Sequence, residues 1–140
     1  MGDAYTTVMV SGGFDPIHAG HIRYIRAAAE HGDVIVIANS DEWLFRKKGF
    51  VFMDFNARAE ILQSIKGVTM VDSVDDADGT VCEAIRRHKP TYFANGGDRK
   101  EGGVPEDSLE HELGIRMLYN VGGEKTQSSS TLLYRSKIRG

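Results

Sequence analysis

Residues 11–24 read SGGFDPIHAGHIRY, and they join a predicted strand to a predicted helix. The residues before them, 5–11, form an apolar and β-branched run that is typical of a buried strand. Residues 19–31 carry apolar side chains at helical spacing, and Gly32 follows as a stop signal. The stretch therefore predicts a strand, a glycine-rich turn and a helix, which together open an α/β sheet.

The rest of the chain repeats this alternation. Further strands are predicted at 33–39, 68–72, 91–95 and 115–121. Further helices are predicted at 56–65 with Asn56 as N-cap, at 79–88, at 106–113 and in the C-terminal tail. This order predicts a single domain over residues 1–140, with an α/β, Rossmann-like, doubly wound fold around a five-stranded parallel sheet.

The composition is that of an ordinary globular protein. The chain has 140 residues, of which 41% are hydrophobic and 26% charged, and its net charge is −3. This charge argues against a general nucleic-acid binder, and no apolar run approaches the roughly 20 residues of a membrane span. No signal peptide is visible, and the single cysteine, Cys82, fits a reducing compartment and a place in the core. We expect a cytoplasmic protein with no nucleic-acid or membrane partner.

Polar and glycine-rich segments follow four of the five predicted strands. They are SGGFDPIHAGH, NSDEWLFRKKG, NGGDRK and GGEKTQSSST, whereas the third strand is followed mainly by acids, in VDSVDDAD. In an open parallel sheet, ligands bind beyond the carboxyl ends of the strands. The sequence therefore predicts one site at this edge of the sheet.

The first of these loops has the chemistry of a phosphate site. Gly12 and Gly13 permit a sharp turn and a close ligand approach. A helix N-terminus carries unpaired N–H groups and partial positive charge, which suit phosphate. His18 and His21 share one face of the first turn, where two imidazoles stabilise charge that develops on a phosphate, and Gly20 lets a nucleotide lie close to the backbone.

Other sites at this loop have less support. The zinc-protease spacing H-E-x-x-H is absent, and no cysteine lies nearby. The G-x-G-x-x-G pattern of a dinucleotide-binding oxidoreductase is also absent. On the residues alone, a phosphate-binding pair competes with two ordinary surface or core histidines.

The loop SGGFDPIHAGH resembles the G-x-F-D-x-x-H-x-G-H signature of the nucleotidylyltransferase superfamily. The resemblance covers nearly the whole chain and lies within the cytidylyltransferase-like branch. That branch includes cytidylyltransferases for glycerol 3-phosphate and for ethanolamine and choline phosphates, and the domain that adenylylates heptose 1-phosphate. The segments NSDEWLFRKKG, NGGDR and SSST resemble later motifs of the family. The resemblance implies the H-x-G-H type of nucleotidylyltransferase fold.

The resemblance also implies roles for particular residues. His18 and His21 would act on the α- and β-phosphates, Lys47 on the α-phosphate and the incoming phosphate, and Arg58 on the acceptor phosphate. Magnesium would bridge phosphate oxygens, with Asp15 as an outer partner and no protein metal cage. The implied nucleotide-binding residues are Gly12, Gly13, Phe14, Asp15, Gly20, Lys48, Gly97, Asp98, Ser129, Ser130 and Thr131.

The implied reaction transfers CMP from CTP to a small phosphorylated alcohol or sugar phosphate, such as glycerol 3-phosphate, and releases pyrophosphate. The family's R-T-E-G-I-S-T-[ST] run is replaced here by EKTQSSST, with Glu124 in place of the arginine and Gln127 in place of the glycine. An ATP-dependent adenylyltransferase that acts on a sugar phosphate, such as heptose 1-phosphate, is therefore the alternative. A non-catalytic nucleotide-binding module is the alternative of another class, and the retained histidines, lysine and SSST argue against it. A homodimer is implied by the resemblance alone.

Overall fold

The strands form one parallel sheet. The computed structural model describes residues 6–95, 109–119, 121 and 122. Its strands are β1 (Thr7–Gly12), β2 (Asp33–Ala38), β3 (Val68–Asp72), β4 (Tyr92–Ala94) and β5 (Arg116–Leu118). Their order in the sheet is β3-β2-β1-β4-β5, and every neighbouring pair is parallel. The predicted Rossmann-like five-stranded sheet is confirmed, and its topological switch point lies between β1 and β4.

Five helices connect the strands in the described part of the chain. They are α1 (Ala19–Ala28), α2 (Asp41–Lys48), α3 (Phe55–Gln63), α4 (Cys82–His88) and α5 (Leu109–Leu113). The prediction of Asn56 as an N-cap is wrong, because the side chain of Asp54 accepts the N–H of Ala57 at 2.9 Å and α3 begins at Phe55. The predicted tail helix lies outside the described residues. Among the helices that are described, none has the length and apolar content to span a membrane.

Helix α2 replaces a segment that the sequence analysis treats as a loop. The hydroxyl of Ser40 caps it by accepting the N–H of Trp43 at 2.9 Å, and Gly49 ends it with a left-handed φ of 84°. Acids occupy its first turn and bases its last turn, which complements the helix dipole. Leu44 is its one buried residue, so the helix lacks the apolar stripe by which α1 is recognised.

The core lies on both faces of the sheet. On one face Met9 of β1 packs in a cluster with Ile85 of α4 and with Cys82, which confirms the cysteine as a core residue. On the other face Val8 and Val10 pack in a cluster with Ile25 of α1 and Leu62 of α3. Alternate residues of β1 thus point to opposite faces, as the pleat of a strand requires. The loops that follow β1 and β2 lie at the carboxyl edge of the sheet.

Candidate active site

His18 and His21 cap the start of α1 reciprocally. His18 has an extended backbone, and its Nδ1 accepts the N–H of Gly20 at 3.0 Å. The Nδ1 of His21 in turn accepts the N–H of His18 at 3.2 Å. In a common capping box a serine or threonine and a glutamate make these two contacts. Here two imidazoles make them.

The cap fixes the tautomer of both rings. A neutral imidazole has one N–H and one acceptor nitrogen, and in both histidines Nδ1 is the acceptor. The proton of each ring therefore lies on Nε2, which becomes a hydrogen-bond donor. The rings stack with centroids 3.8 Å apart and planes inclined by 19°. The first turn of α1 thus carries two neighbouring Nε2–H donors together with the positive end of the helix.

The glycines of the first loop make room for protein side chains. A Cβ on Gly20 would lie 2.9 Å from Cε1 and 3.0 Å from Nδ1 of His18, so any side chain there would displace the capping ring. A Cβ on Gly12 would lie 3.2 Å from the ring of Phe14, and one on Gly13 would lie 2.9 Å from Leu44. The sequence predicts that these glycines permit the approach of a nucleotide, and packing is a second reason for them.

Phe14 packs its ring against the ring of His21. Its side chain is only 2% exposed, and its ring meets that of His21 edge to face at 4.9 Å between centroids. The buried ring thus limits the orientations open to His21. The predicted nucleotide contact of Phe14 stays a prediction.

Asp15 fastens the first loop to the segment after α2. It is 1% exposed, and its carboxylate accepts the backbone N–H groups of Phe52 at 2.8 Å and Met53 at 2.5 Å. Nζ of Lys48 lies 3.2 Å from the same carboxylate and donates to the carbonyl of Asp15 at 2.6 Å. Asp15 and the half-buried Lys48 thus hold the first loop in place, and their contacts with magnesium or nucleotide stay predictions.

Lys47 differs from Lys48 in exposure. Lys47 is exposed, and its Nζ lies 4.7 Å from the centroid of the Trp43 ring. Of these two predicted site lysines, Lys47 is therefore the more accessible to a ligand. Its catalytic role stays a prediction.

Arg58 is buried at the centre of the site's framework. Its side chain is 0% exposed. The guanidinium donates to the carbonyls of Met53, Gly13 and Asn39 at 2.8 to 3.0 Å and to Oδ1 of Asp41 at 2.7 Å. In the described structure Arg58 joins the ends of β1 and β2 to the starts of α2 and α3. Its contact with an acceptor phosphate stays a prediction.

Asp76 is a buried residue of the site's framework that the sequence analysis did not single out. It is 3% exposed, and its carboxylate accepts from Nδ2 of Asn39 at 3.0 Å and from N–H and Oγ of Ser40 at 2.9 and 2.6 Å. Its carbonyl accepts from Arg46 at 3.0 Å. Asp76 thus holds the start of α2. Nothing in the run VDSVDDAD distinguishes this acid from its exposed neighbours.

The structure brings together the predicted residues of the first two loops. The histidine pair, the glycine turn and Lys47 all lie at the carboxyl edge of the sheet, beside β1 and β2. No group of three or more His, Cys, Asp or Glu among the described residues is arranged to hold a metal ion. The remaining predicted residues, Gly97, Asp98, Ser129, Ser130 and Thr131, lie outside the described residues.

Comparison with solved structures shows the same fold. A lipopolysaccharide core biosynthesis protein from Thermoplasma volcanium superposes with a TM-score of 0.67 at 24% identity, covering 81% of this chain and 94% of the other. A putative nicotinate-nucleotide adenylyltransferase from Vibrio parahaemolyticus superposes with a TM-score of 0.60 at 16% identity, covering 98% and 89%. At these identities the likeness concerns the fold alone.

Sequence comparison gives closer relatives. The bifunctional protein HldE of Geobacter metallireducens is 34% identical over 124 residues, which are 85% of this chain and 25% of HldE. The chain therefore spans about a quarter of the length of that relative. An FAD synthase from Pyrococcus horikoshii is 38% identical over 100 residues, which are 69% of this chain and 66% of the synthase. The profile of one family, cytidylyltransferase-like, matches residues 9–122. On the matched residues, and with the fold that they adopt, the chain belongs to the cytidylyltransferase-like family of nucleotidyltransferases.

Proposed function

We propose that the chain transfers a nucleoside monophosphate from a triphosphate to a small phosphorylated acceptor and releases pyrophosphate. The observation that carries the proposal is the reciprocal cap, because it orients the Nε2–H donors of His18 and His21 at a helix N-terminus. These donors and the helix dipole suit the negative charge of a phosphate group. Their position beside the switch point of the sheet suits a nucleotide.

The chemistry follows from positioning and charge. An oxygen of the acceptor phosphate attacks the α-phosphorus, the bond from that phosphorus to the bridging oxygen breaks, and pyrophosphate leaves with the bonding electrons. The Nε2–H groups of His18 and His21 donate to the phosphate oxygens on which charge accumulates. Lys47 neutralises charge between the two phosphates as they approach. The acceptor phosphate is already an anion, so no residue needs to remove a proton from it.

We propose ATP and a sugar phosphate as the substrates. The relatives support this choice, because they include HldE, whose adenylyltransferase domain the first loop resembles, and an enzyme named for making FAD, an adenylyl compound. The replacement of the arginine in the family's last motif by Glu124 also weakens the case for CTP. The second candidate is CMP transfer to glycerol 3-phosphate or a similar acceptor, which the match to the cytidylyltransferase-like profile supports.

Magnesium stays a prediction. The carboxylate of Asp15 is occupied by two backbone N–H groups and Lys48, so the described residues supply no carboxylate for the ion at the first loop. We expect Mg²⁺ to be held mainly by the phosphate oxygens of the substrate, where it neutralises their charge, because Mg²⁺ at nucleotide sites uses few protein ligands. The homodimer and the cytoplasmic location also stay predictions. Light scattering on the purified chain tests the first.

The first experiment is a thermal unfolding series with ATP, CTP, GTP and UTP, each with magnesium. A triphosphate at 100 times its dissociation constant adds about 2.7 kcal/mol, which raises the melting temperature by several degrees in a domain of this size. We expect ATP to give the largest shift. Pyrophosphate release is then measured with a sugar 1-phosphate and with glycerol 3-phosphate as acceptors.

The outcomes separate the candidates. Pyrophosphate release with CTP and not ATP would establish the cytidylyl candidate in place of the adenylyl one. Binding of a triphosphate without turnover on any phosphorylated acceptor would favour the binding module. If none of the four triphosphates moved the unfolding transition or was turned over, the proposed function would be rejected.

A further inference from the structure

The indole of Trp43 lies between the glycine turn and the exposed lysine of α2. Its Cζ3 would be 3.5 Å from a Cβ on Gly13, so the ring borders the first loop at contact distance. Its other neighbour is Lys47, whose Nζ lies 4.7 Å from the ring centroid. Trp43 and Lys47 are four residues apart in α2 and therefore share one face of the helix. One ring thus connects the two parts of the proposed phosphate site.

The backbone at Trp43 is fixed by hydrogen bonds to Ser40 and, through it, to Asp76. The N–H of Trp43 donates to Ser40 Oγ, and that hydroxyl donates to the buried carboxylate of Asp76. At the other end of the helix Lys48 is held by Asp15. Helix α2 is therefore fixed at both ends by buried acids, and the ring of Trp43 has a defined position. The side chain of Lys47 is an exposed cation on this fixed support.

We propose that Trp43 is a positioning residue which holds the ammonium of Lys47 in the absence of ligand and releases it to the phosphates when a triphosphate binds. The proposal rests on the proposed function. At an exposed site a cation–π contact is weaker than a charge-assisted hydrogen bond to phosphate. The ammonium of Lys47 therefore leaves the ring and binds the phosphate when a triphosphate is present. Until then the ring limits the number of positions that the long lysine side chain samples, and it keeps the charge beside the glycine turn.

The chain provides its own reporter for this movement, because Trp43 is its one tryptophan. A positive charge over an indole alters its emission, so departure of Lys47 changes the fluorescence of the protein. The probe is inorganic tripolyphosphate with magnesium, which has no base to absorb light or stack on the ring. We expect a saturable change in emission with tripolyphosphate, and the same midpoint when binding is measured by thermal unfolding.

The matched variants are Lys47→Met and Lys66→Met. Methionine keeps most of the aliphatic stem and removes the charge. Lys66 is an exposed lysine between α3 and β3, at the opposite edge of the sheet. We expect the emission change to vanish in Lys47→Met and to persist in Lys66→Met. An unchanged response in Lys47→Met would overturn the proposal, and so would bound tripolyphosphate without any change in the native chain.

Kinetics test the positioning role separately. Because a triphosphate must break the cation–π contact to take the ammonium, loss of this exposed contact corresponds to an increase of about two- to fivefold in kcat/KM. We expect this increase in Trp43→Leu and a value near that of the native chain in Trp43→Phe, which keeps an aromatic face. Equal changes in both variants would assign Trp43 to packing and contradict the proposal. If triphosphates bind and turn over while these readouts stay flat, this inference fails and the proposed function survives. If none binds, both fail.

Discussion

One nitrogen of His18 caps the helix, and we expect the other nitrogen to donate to a phosphate. Nδ1 accepts the N–H of Gly20, and this contact fixes both the start of α1 and the direction of the ring. In many enzymes a carboxylate orients the catalytic histidine, whereas the orienting group here is a backbone N–H. The residue that permits this contact is Gly20, because a Cβ at that position would collide with the ring.

Asparagine at position 18 separates the two functions of this side chain. Asparagine is a good N-cap, so we expect His18→Asn to unfold within about 0.5 kcal/mol of the native chain, whereas His18→Ala loses about 1 kcal/mol. Both variants lose the Nε2–H donor, and turnover in both should fall by about 10²- to 10³-fold. Urea denaturation and pyrophosphate release measure the two quantities. Native turnover in His18→Asn would show that the second nitrogen takes no part in the reaction.

Among the elements of the fold, helix α2 is the one that the sequence pattern does not predict. A helix is recognised from sequence by its apolar stripe, and α2 buries Leu44 alone. It is held by contacts that lie far away in the sequence, in particular those of Asp76 with Ser40. The signals that were present are local: the Ser40 cap, the acids and bases at opposite ends, and Gly49. These signals define a helix only when they are considered together.

Removal of the Asp76 carboxylate tests how α2 is anchored. In Asp76→Ala the Ser40 N–H and the Asn39 amide lose a buried acceptor. We expect a loss of about 3 kcal/mol in the free energy of unfolding, measured with urea. Asp75→Ala is the control, because Asp75 is the exposed acid next to it. Similar losses in the two variants would show that the buried contacts do not anchor the helix.

The free energy of unfolding at acidic pH depends on a contact between β3 and α4. Burial raises the pKa of Asp72. Hydrogen bonds from His88 and the Ser73 N–H, together with the charge of Arg87, lower this pKa by more than burial raises it, so the net pKa lies below its ordinary 3.8. Nε2 of His88 lies 2.8 Å from the carboxylate. A lowered pKa in the folded state contributes stability above 3.8, and this contribution is lost as the pH falls through the folded pKa.

We therefore expect Asp72→Asn to be less stable than the native chain near neutral pH. The difference in unfolding free energy should be constant above about pH 5 and should shrink below 3.8. Urea denaturation of both proteins from pH 3 to pH 7 measures it. A difference that widens on acidification would have the opposite sign and would contradict this account of Asp72.

At the scale of the whole molecule, the pattern of the strands was sufficient to predict the sheet. All five predicted strands form, and β3 occupies the predicted residues 68–72. Strands β1 and β2 are recognisable from sequence because buried parallel strands appear as short apolar runs. The histidine pair and the glycine turn are likewise found together because they are close in sequence. The protein partners of Arg58, Asp15 and Asp76 could not be predicted, since a buried charge and a ligand-binding charge look alike in sequence until their partners are known.

Because the core lies between the sheet and the inner face of α3, we expect substitutions at neighbouring residues of α3 to reduce the free energy of unfolding by unequal amounts. Leu62 lies in the cluster on the inner face of α3, whereas Ile61 next to it is 43% exposed. We expect Leu62→Ala to lose about 2–5 kcal/mol and Ile61→Ala less than about 1 kcal/mol, because only the first leaves a cavity. Urea unfolding of both variants provides the test. Equal losses would mean that the outer face of α3 is covered by something beyond the described residues.

The contacts of Arg58 tie the order of folding to the shape of the site. Its partners are Gly13, Asn39, Asp41 and Met53, which lie up to 45 residues away in sequence. The guanidinium is therefore satisfied only after β1 and β2 have paired and α3 has docked on them. If α3 docked before the loops after β1 and β2 had formed, it would bury a charge without partners, which is a costly state. We therefore expect the docking of α3 and the shaping of these loops to complete together, so that a docked α3 beside unformed loops is scarcely populated.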